Sequence, residues 1–98
     1  MEYKLISGKD LEDNLDKYFI IDVRTKEEYA AGHVPGSINI PHEEVLEHID
    51  KIKTDKPLAM YCGSTGRSEY AADILTHAGF DDITIAPGVR LYDYKMTK

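Results

Sequence analysis

The feature that most constrains this chain is a rhythm. Short apolar runs rich in β-branched or aromatic residues, Tyr3–Ile6, Phe19–Val23, Ile38–Ile40, Leu58–Tyr61 and Ile83–Ile85, alternate with amphipathic stretches of helical length. Strand-length runs separated in this way predict a mostly parallel sheet of about five strands, flanked by helices in a three-layer α/β arrangement. Phe19–Val23 is nearly continuous in apolar residues, the pattern of a strand covered on both faces, and is expected in the middle of the sheet. No internal repeat, low-complexity block or flexible linker divides the chain. Its 98 residues, 42% of them apolar, suffice for one modest core, so a single domain over residues 1–98 is expected.

Local signals place the helices between these runs. Ser7 is positioned to cap a helix carrying Leu11 and Leu15 on one face. Thr25-Lys26-Glu27-Glu28 has capping-box spacing, and Gly32 ends the helix that follows. Val34-Pro35-Gly36-Ser37 reads as a turn into the third strand, which Pro41 stops. Val45, Leu46, Ile49 and Ile52 predict an amphipathic helix before Pro57 marks the next start. Ser68–His77 is read as a helix with Tyr70, Ala71, Ile74, Leu75 and Ala78 inward and Gly79 as its stop, and a brief terminal helix is expected after the last strand.

Charge and cysteine content narrow the function. A formal charge of −6 disfavours nucleic acid, because phosphate binding needs clustered Lys and Arg and here acids outnumber bases. No apolar run approaches membrane-spanning length and no charged-then-apolar leader is present, so a soluble cytoplasmic protein, monomeric and without a membrane partner, is expected. The lone cysteine, Cys62, excludes an intramolecular disulfide and a multi-cysteine zinc site. A small buried hydrophobe is the ordinary fate of such a residue.

The neighbours of Cys62 argue for more. A strand, the loop Cys62-Gly63-Ser64-Thr65-Gly66-Arg67 and a helix follow one another, which puts Cys62 at the carboxyl end of a parallel strand, where sites form in such sheets. Backbone N–H groups of the turn and the helix start aim at one point, and the helix dipole adds positive potential there. A thiolate at that point is stabilised by the same N–H groups and by Arg67, so Cys62 is expected to be nucleophilic at neutral pH. Gly63, Ser64, Thr65, Gly66 and Ser68 are the candidate binding residues around it.

Cysteine-dependent phosphatases resemble this loop, but they separate Cys from Arg by five residues. Here Gly63, Ser64, Thr65 and Gly66 alone intervene, and the shorter loop should draw the N–H groups inward to suit a single sulfur atom. Taken with the rest of the chain, the loop resembles the rhodanese-like sulfurtransferase family, specifically its single-domain members. The resemblance runs through Ile21-Asp22-Val23-Arg24, Glu28-Tyr29, the segment from Gly32-His33-Val34-Pro35-Gly36 to Pro41, Tyr61-Cys62 with its loop, and Pro87-Gly88.

The resemblance implies a thiosulfate sulfurtransferase that works by a ping-pong mechanism, with no cofactor and no metal. Cys62 takes a sulfane sulfur from thiosulfate or a related donor, holds it as a persulfide, and passes it to cyanide or to a thiol such as glutathione or thioredoxin. Arg67 is implied as the catalytic partner that binds the donor's sulfonate or the leaving sulfite. The plainer reading of Arg67 is a helix-start arginine paired with a neighbouring carboxylate. Asp22 and Arg24 are implied as supporting residues, either directly or as an ion pair fixing loops at the sheet's edge.

His33 belongs to the turn before the third strand rather than to a Cys–His pair. His42, His48 and His77 are read as solvated. Tyr92 stands where the family carries a tryptophan, and is expected as an apolar lid; Arg90 is a second cation at the mouth or a solvated residue. Thr65 occupies a loop position that is glycine in many relatives, and Cys62-Gly63-Ser64 also resembles the loop of mercaptopyruvate sulfurtransferases, so the donor stays open. From a different functional class, a non-catalytic or partner-dedicated rhodanese-like module that carries persulfide or binds a partner is the alternative.

Overall fold

Five strands, all paired in parallel, run in the spatial order β1-β5-β4-β2-β3 in the computed structural model, which describes residues 3–53 and 55–98. They are β1 (Tyr3–Leu5), β2 (Phe19–Asp22), β3 (Ile38–Asn39), β4 (Leu58–Tyr61) and β5 (Ile83–Ile85). The register sets Ile21 beside Met60 and Met60 beside Ile85, so side chains of one parity form one apolar face. β4 is the central strand. β2 is interior but one place off centre, with Ile20, Ile21 and Asp22 all buried.

Alternation along the strands divides the core in two. Ile21, Met60, Cys62, Ile83 and Ile85 face Val45, Ile52, Ala71 and Leu75 on one side of the sheet. Ile20, Ala59, Tyr61 and Ala86 face Leu11, Val34 and Tyr94 on the other. The first side is covered by α3 (Gly66–His77), the second by α1 (Gly8–Asp13) and the chain's last turns. Burying each such side chain contributes roughly 1.5–3 kcal/mol, which makes these two layers the main source of stability.

The helix starts form as their sequences direct. Ser7 Oγ accepts from the N–H of Asp10 at 3.0 Å, capping α1. Thr25 and Glu28 form the reciprocal capping box of α2 (Lys26–Ala31), and Gly32 follows it. Gly79, at φ +100°, turns the chain after α3 in the left-handed region that glycine enters without strain.

Four expectations are corrected. The segment around Val45–Ile52 forms no α-helix but 3₁₀ turns over His42–Glu44 and Leu46–Lys51, interrupted at His48, which leaves the α region at φ −119°, ψ 25°. The break buries Val45 and Ile52 and turns Leu46 out to solvent. α3 begins two residues earlier than Ser68, and buries Ala72 while Tyr70 and Ala78 face outward. Leu15 lies beyond α1, in a separate 3₁₀ turn over Leu15–Lys17. No terminal helix follows β5: Leu91 and Tyr92 both donate to the carbonyl of Gly88 in a turn, and the chain then returns to pair Thr97 with His33.

Candidate active site

The site is built where β2, β4 and β5 end side by side. Tyr61 and Cys62 are consecutive, so they point to opposite faces: the phenol enters the α1 side and the thiol the α3 side. Cys62 is 1% exposed and lies at the base of its loop. Two backbone bonds lace this loop to the segment after β5, with Val89 N–H donating to the Cys62 carbonyl and Arg90 N–H to the Gly63 carbonyl, each at 2.9 Å. Gly88 makes that approach possible. A Cβ there would fall 2.1 Å from the Ser64 carbonyl oxygen and 2.4 Å from the Gly63 carbonyl carbon, too close for any side chain.

The donors of the loop are left open. Thr65 occupies the N-cap of α3 without a side-chain capping bond, and among the described residues no acceptor is bound by any backbone N–H from Gly63 through Ser68. Uncapped N–H groups at a helix start carry the positive end of the macrodipole, and free donors on a preceding turn extend it. Ser68 adds a fully buried hydroxyl without a hydrogen-bond partner. Buried polar groups of this kind are rare and costly unless a ligand completes them. Ser64 is exposed and Thr65 half-buried, at the outer side of the turn.

Arg67 is tied to α2. Its Nη1 donates to Glu28 Oε1 at 2.9 Å and its Nη2 to Oε2 at 3.3 Å, while Glu28 Oε1 also accepts from the N–H of Thr25 at 2.9 Å. The guanidinium holds the Glu28 carboxyl well below its usual range, at about 2, and Glu28 in turn raises the pKa of Arg67. The carboxylate that completes the capping box is thus also the partner of the arginine that ends the cysteine loop. The sequence marks Glu28 as a capping residue and gives no sign of this second role.

Asp22 and Arg24 form a buried ion pair. Arg24 donates to Asp22 from Nε, at 3.0 and 3.1 Å, and from Nη2, at 2.7 Å, and its Nη2 also reaches the Gly32 carbonyl at 2.6 Å. Burial works against the arginine's charge, but the carboxylate more than offsets it and the pKa of Arg24 is raised. Tyr61 Oη donates to Asp22 Oδ2 at 2.7 Å and accepts from Val34 N–H at 2.9 Å. Burial first, then the Asp22 charge, raises the pKa of this phenol and keeps it neutral. These bonds fix the Gly32–Val34 turn beside the ends of β2 and β4, a connection through Tyr61 that the apolar strand pattern concealed.

The remaining candidates separate. Arg90 is exposed beside the loop, its Nε 3.9 Å from where a Cβ on Gly63 would lie. Tyr92 is placed elsewhere: its ring lies directly against Gly8 and its hydroxyl donates to Glu12 at 2.9 Å, which sets it on the α1 side rather than over Cys62. His33 stacks on Tyr29 at 3.7 Å with its Nδ1 2.9 Å from the Tyr29 carbonyl oxygen, within its turn. His77 is exposed, His48 lies beside Glu44, and His42 packs edge-on against Tyr70.

A five-stranded parallel sheet with a cysteine-headed loop between its central strand and a helix fits a rhodanese-like domain, and the chain belongs to that family: the model of the rhodanese-like domain matches residues 7–92. A crystal structure of a rhodanese-related protein from Thermoplasma volcanium, 30% identical, superposes with a TM-score of 0.86 over 97% of this chain and 98% of that one. The thiosulfate sulfurtransferase PspE of Escherichia coli is 39% identical over 72 residues, 71% of this chain and 69% of PspE. The Bacillus subtilis protein YrkF is 34% identical over 90 residues, 91% of this chain but 49% of YrkF, so the chain spans about half the length of that relative. No helix among the described residues is long and apolar enough to cross a membrane.

Proposed function

We propose that this protein is a thiosulfate sulfurtransferase, moving a sulfane sulfur from thiosulfate or a related donor through a Cys62 persulfide to an external thiol or to cyanide. The observation that carries the reading is the run of unbound backbone N–H groups from Gly63 through Ser68 around the head of α3, with Cys62 at its base. In the first half-reaction the Cys62 thiolate attacks the outer sulfur of thiosulfate. The new Sγ–S bond forms as the donor's S–S bond breaks, and sulfite leaves with the electron pair.

The product, Cys62–S–S⁻, carries its charge on the terminal sulfur. Open N–H donors stabilise that charge as an oxyanion hole stabilises oxygen, and the Ser68 hydroxyl supplies a further buried donor. In the second half-reaction a thiolate or cyanide attacks the terminal sulfur and Cys62 leaves as thiolate. Cys62 is the only cysteine of the chain, so the acceptor comes from outside it, and a thiol such as glutathione or thioredoxin in a cytoplasmic pool fits this chemistry.

Turnover is the test. With thiosulfate and cyanide, thiocyanate is expected to appear catalytically with the native protein and to fall to background with Cys62→Ser. Thiocyanate at background with the native protein, for thiosulfate and mercaptopyruvate alike, refutes the reading.

A further inference from the structure

Two guanidinium groups converge on one backbone position, Gly63. A Cβ there would lie 3.0 Å from Arg67 Nη2 and 3.9 Å from Arg90 Nε. The two arginines differ in everything else that holds them. Arg67 is half-buried, and its charge is matched by the Glu28 carboxylate through two hydrogen bonds. Arg90 is exposed, its backbone is pinned by the 2.9 Å bond to the Gly63 carbonyl, and among the described residues its side chain makes no ion pair and no hydrogen bond.

A doubly charged anion approaching this mouth therefore meets one compensated cation and one uncompensated cation, on a chain of net charge −6 that otherwise repels it. A cation already engaged by a carboxylate offers little net field, whereas a free one acts with its whole charge at close range. We propose that Arg90, rather than Arg67, recognises the anionic end of the sulfur donor, and that Arg67 with Glu28 serves to shape the loop. The proposal rests on the sulfurtransferase reading for the identity of the donor. In the transfer step the guanidinium of Arg90 follows the charge as it passes to the departing sulfite, without giving up a proton.

Sulfate, which has thiosulfate's double charge and tetrahedral shape but no transferable sulfur, separates binding from chemistry. It is titrated into native protein and Arg90 variants while the backbone amide resonances of residues 63–68 are followed. The same proteins are then treated with increasing thiosulfate, and persulfide is read by intact mass. Arg90→Gln is expected to weaken sulfate binding about fivefold and to raise the thiosulfate concentration for half-maximal persulfidation by a similar factor, as loss of one exposed charge contact does. Arg90→Lys should restore both to within about twofold, since it returns the charge.

Sulfate affinity that is unchanged in Arg90→Gln, or no amide response to sulfate in the native protein, overturns the role of Arg90. Arg90-dependent sulfate binding in a native protein that gains no sulfur from thiosulfate or from mercaptopyruvate would support the anion site and refute the sulfurtransferase reading. The amide spectrum of each variant reports its fold in the same experiment.

Discussion

The carboxylate of Glu28 joins two elements at once, accepting from Thr25 N–H at the start of α2 and from both terminal nitrogens of Arg67 at the start of α3. The distance between these helix starts is thereby set by one side chain. α3 carries the cysteine loop on its N-terminus, so this clamp also sets where the loop's open N–H groups point.

The clamp has a pH signature. Folding lowers the Glu28 carboxyl from 4.5 to about 2, chiefly through Arg67, so the folded state binds fewer protons there than the unfolded chain. The resulting stability is present above about pH 4.5 and is lost as pH falls toward 2. Because the Glu28 side chain is more than a third exposed, solvent screening holds the contribution to about 1 kcal/mol. Urea unfolding of native protein and Glu28→Gln between pH 3 and pH 6 should show a gap that closes on acidification. A gap independent of pH contradicts the clamp.

Gly88 is predicted to be irreplaceable for steric reasons. An alanine Cβ would meet the backbone of Ser64 and Gly63 at 2.1–2.4 Å, where no side-chain rotation can relieve it. Gly88→Ala should therefore destabilise the fold by about 1–3 kcal/mol, as overpacking does, and displace the loop. Gly66→Ala meets nothing within 4 Å and replaces glycine in a helix, so its stability should hold or rise. Denaturant midpoints of the two variants check this contrast, and equal losses would refute it.

Tyr61 is predicted to hold the far side of the site together through its hydroxyl. Tyr61→Phe keeps the ring but leaves the Val34 N–H unbound and removes a donor from Asp22 in a buried setting. A loss of about 1–3 kcal/mol is expected in chemical unfolding. A variant as stable as the native protein would show that the Asp22–Arg24 pair needs no such support.

Much of this was legible in the residues. The strand runs, the capping box and the Cys62 loop follow from periodicity and local chemistry, and the fold's parallel order follows from their alternation. What was hidden depends on contacts between distant segments. The spacing of Val45, Leu46, Ile49 and Ile52 fits an α-helix, yet the packing is met by 3₁₀ turns broken at His48. Glu28 has the identity expected of a capping residue, and only the approach of α3 gives it Arg67. Tyr92 has the size to cover Cys62, but the bare backbone of Gly8 and the carboxylate of Glu12 hold it on the other face. Tyr61 reads as one more apolar strand residue until its hydroxyl is seen to bind Asp22.

In the proposed mechanism Cys62 holds sulfur covalently in the cradle formed by its loop. Intact mass after incubation with thiosulfate tests it most directly, with native protein and Cys62→Ser measured side by side. A gain of one sulfur atom is expected on the native protein, reversed by cyanide, with no gain on Cys62→Ser. A native protein whose mass does not change, or a serine variant that gains the same sulfur, would contradict it.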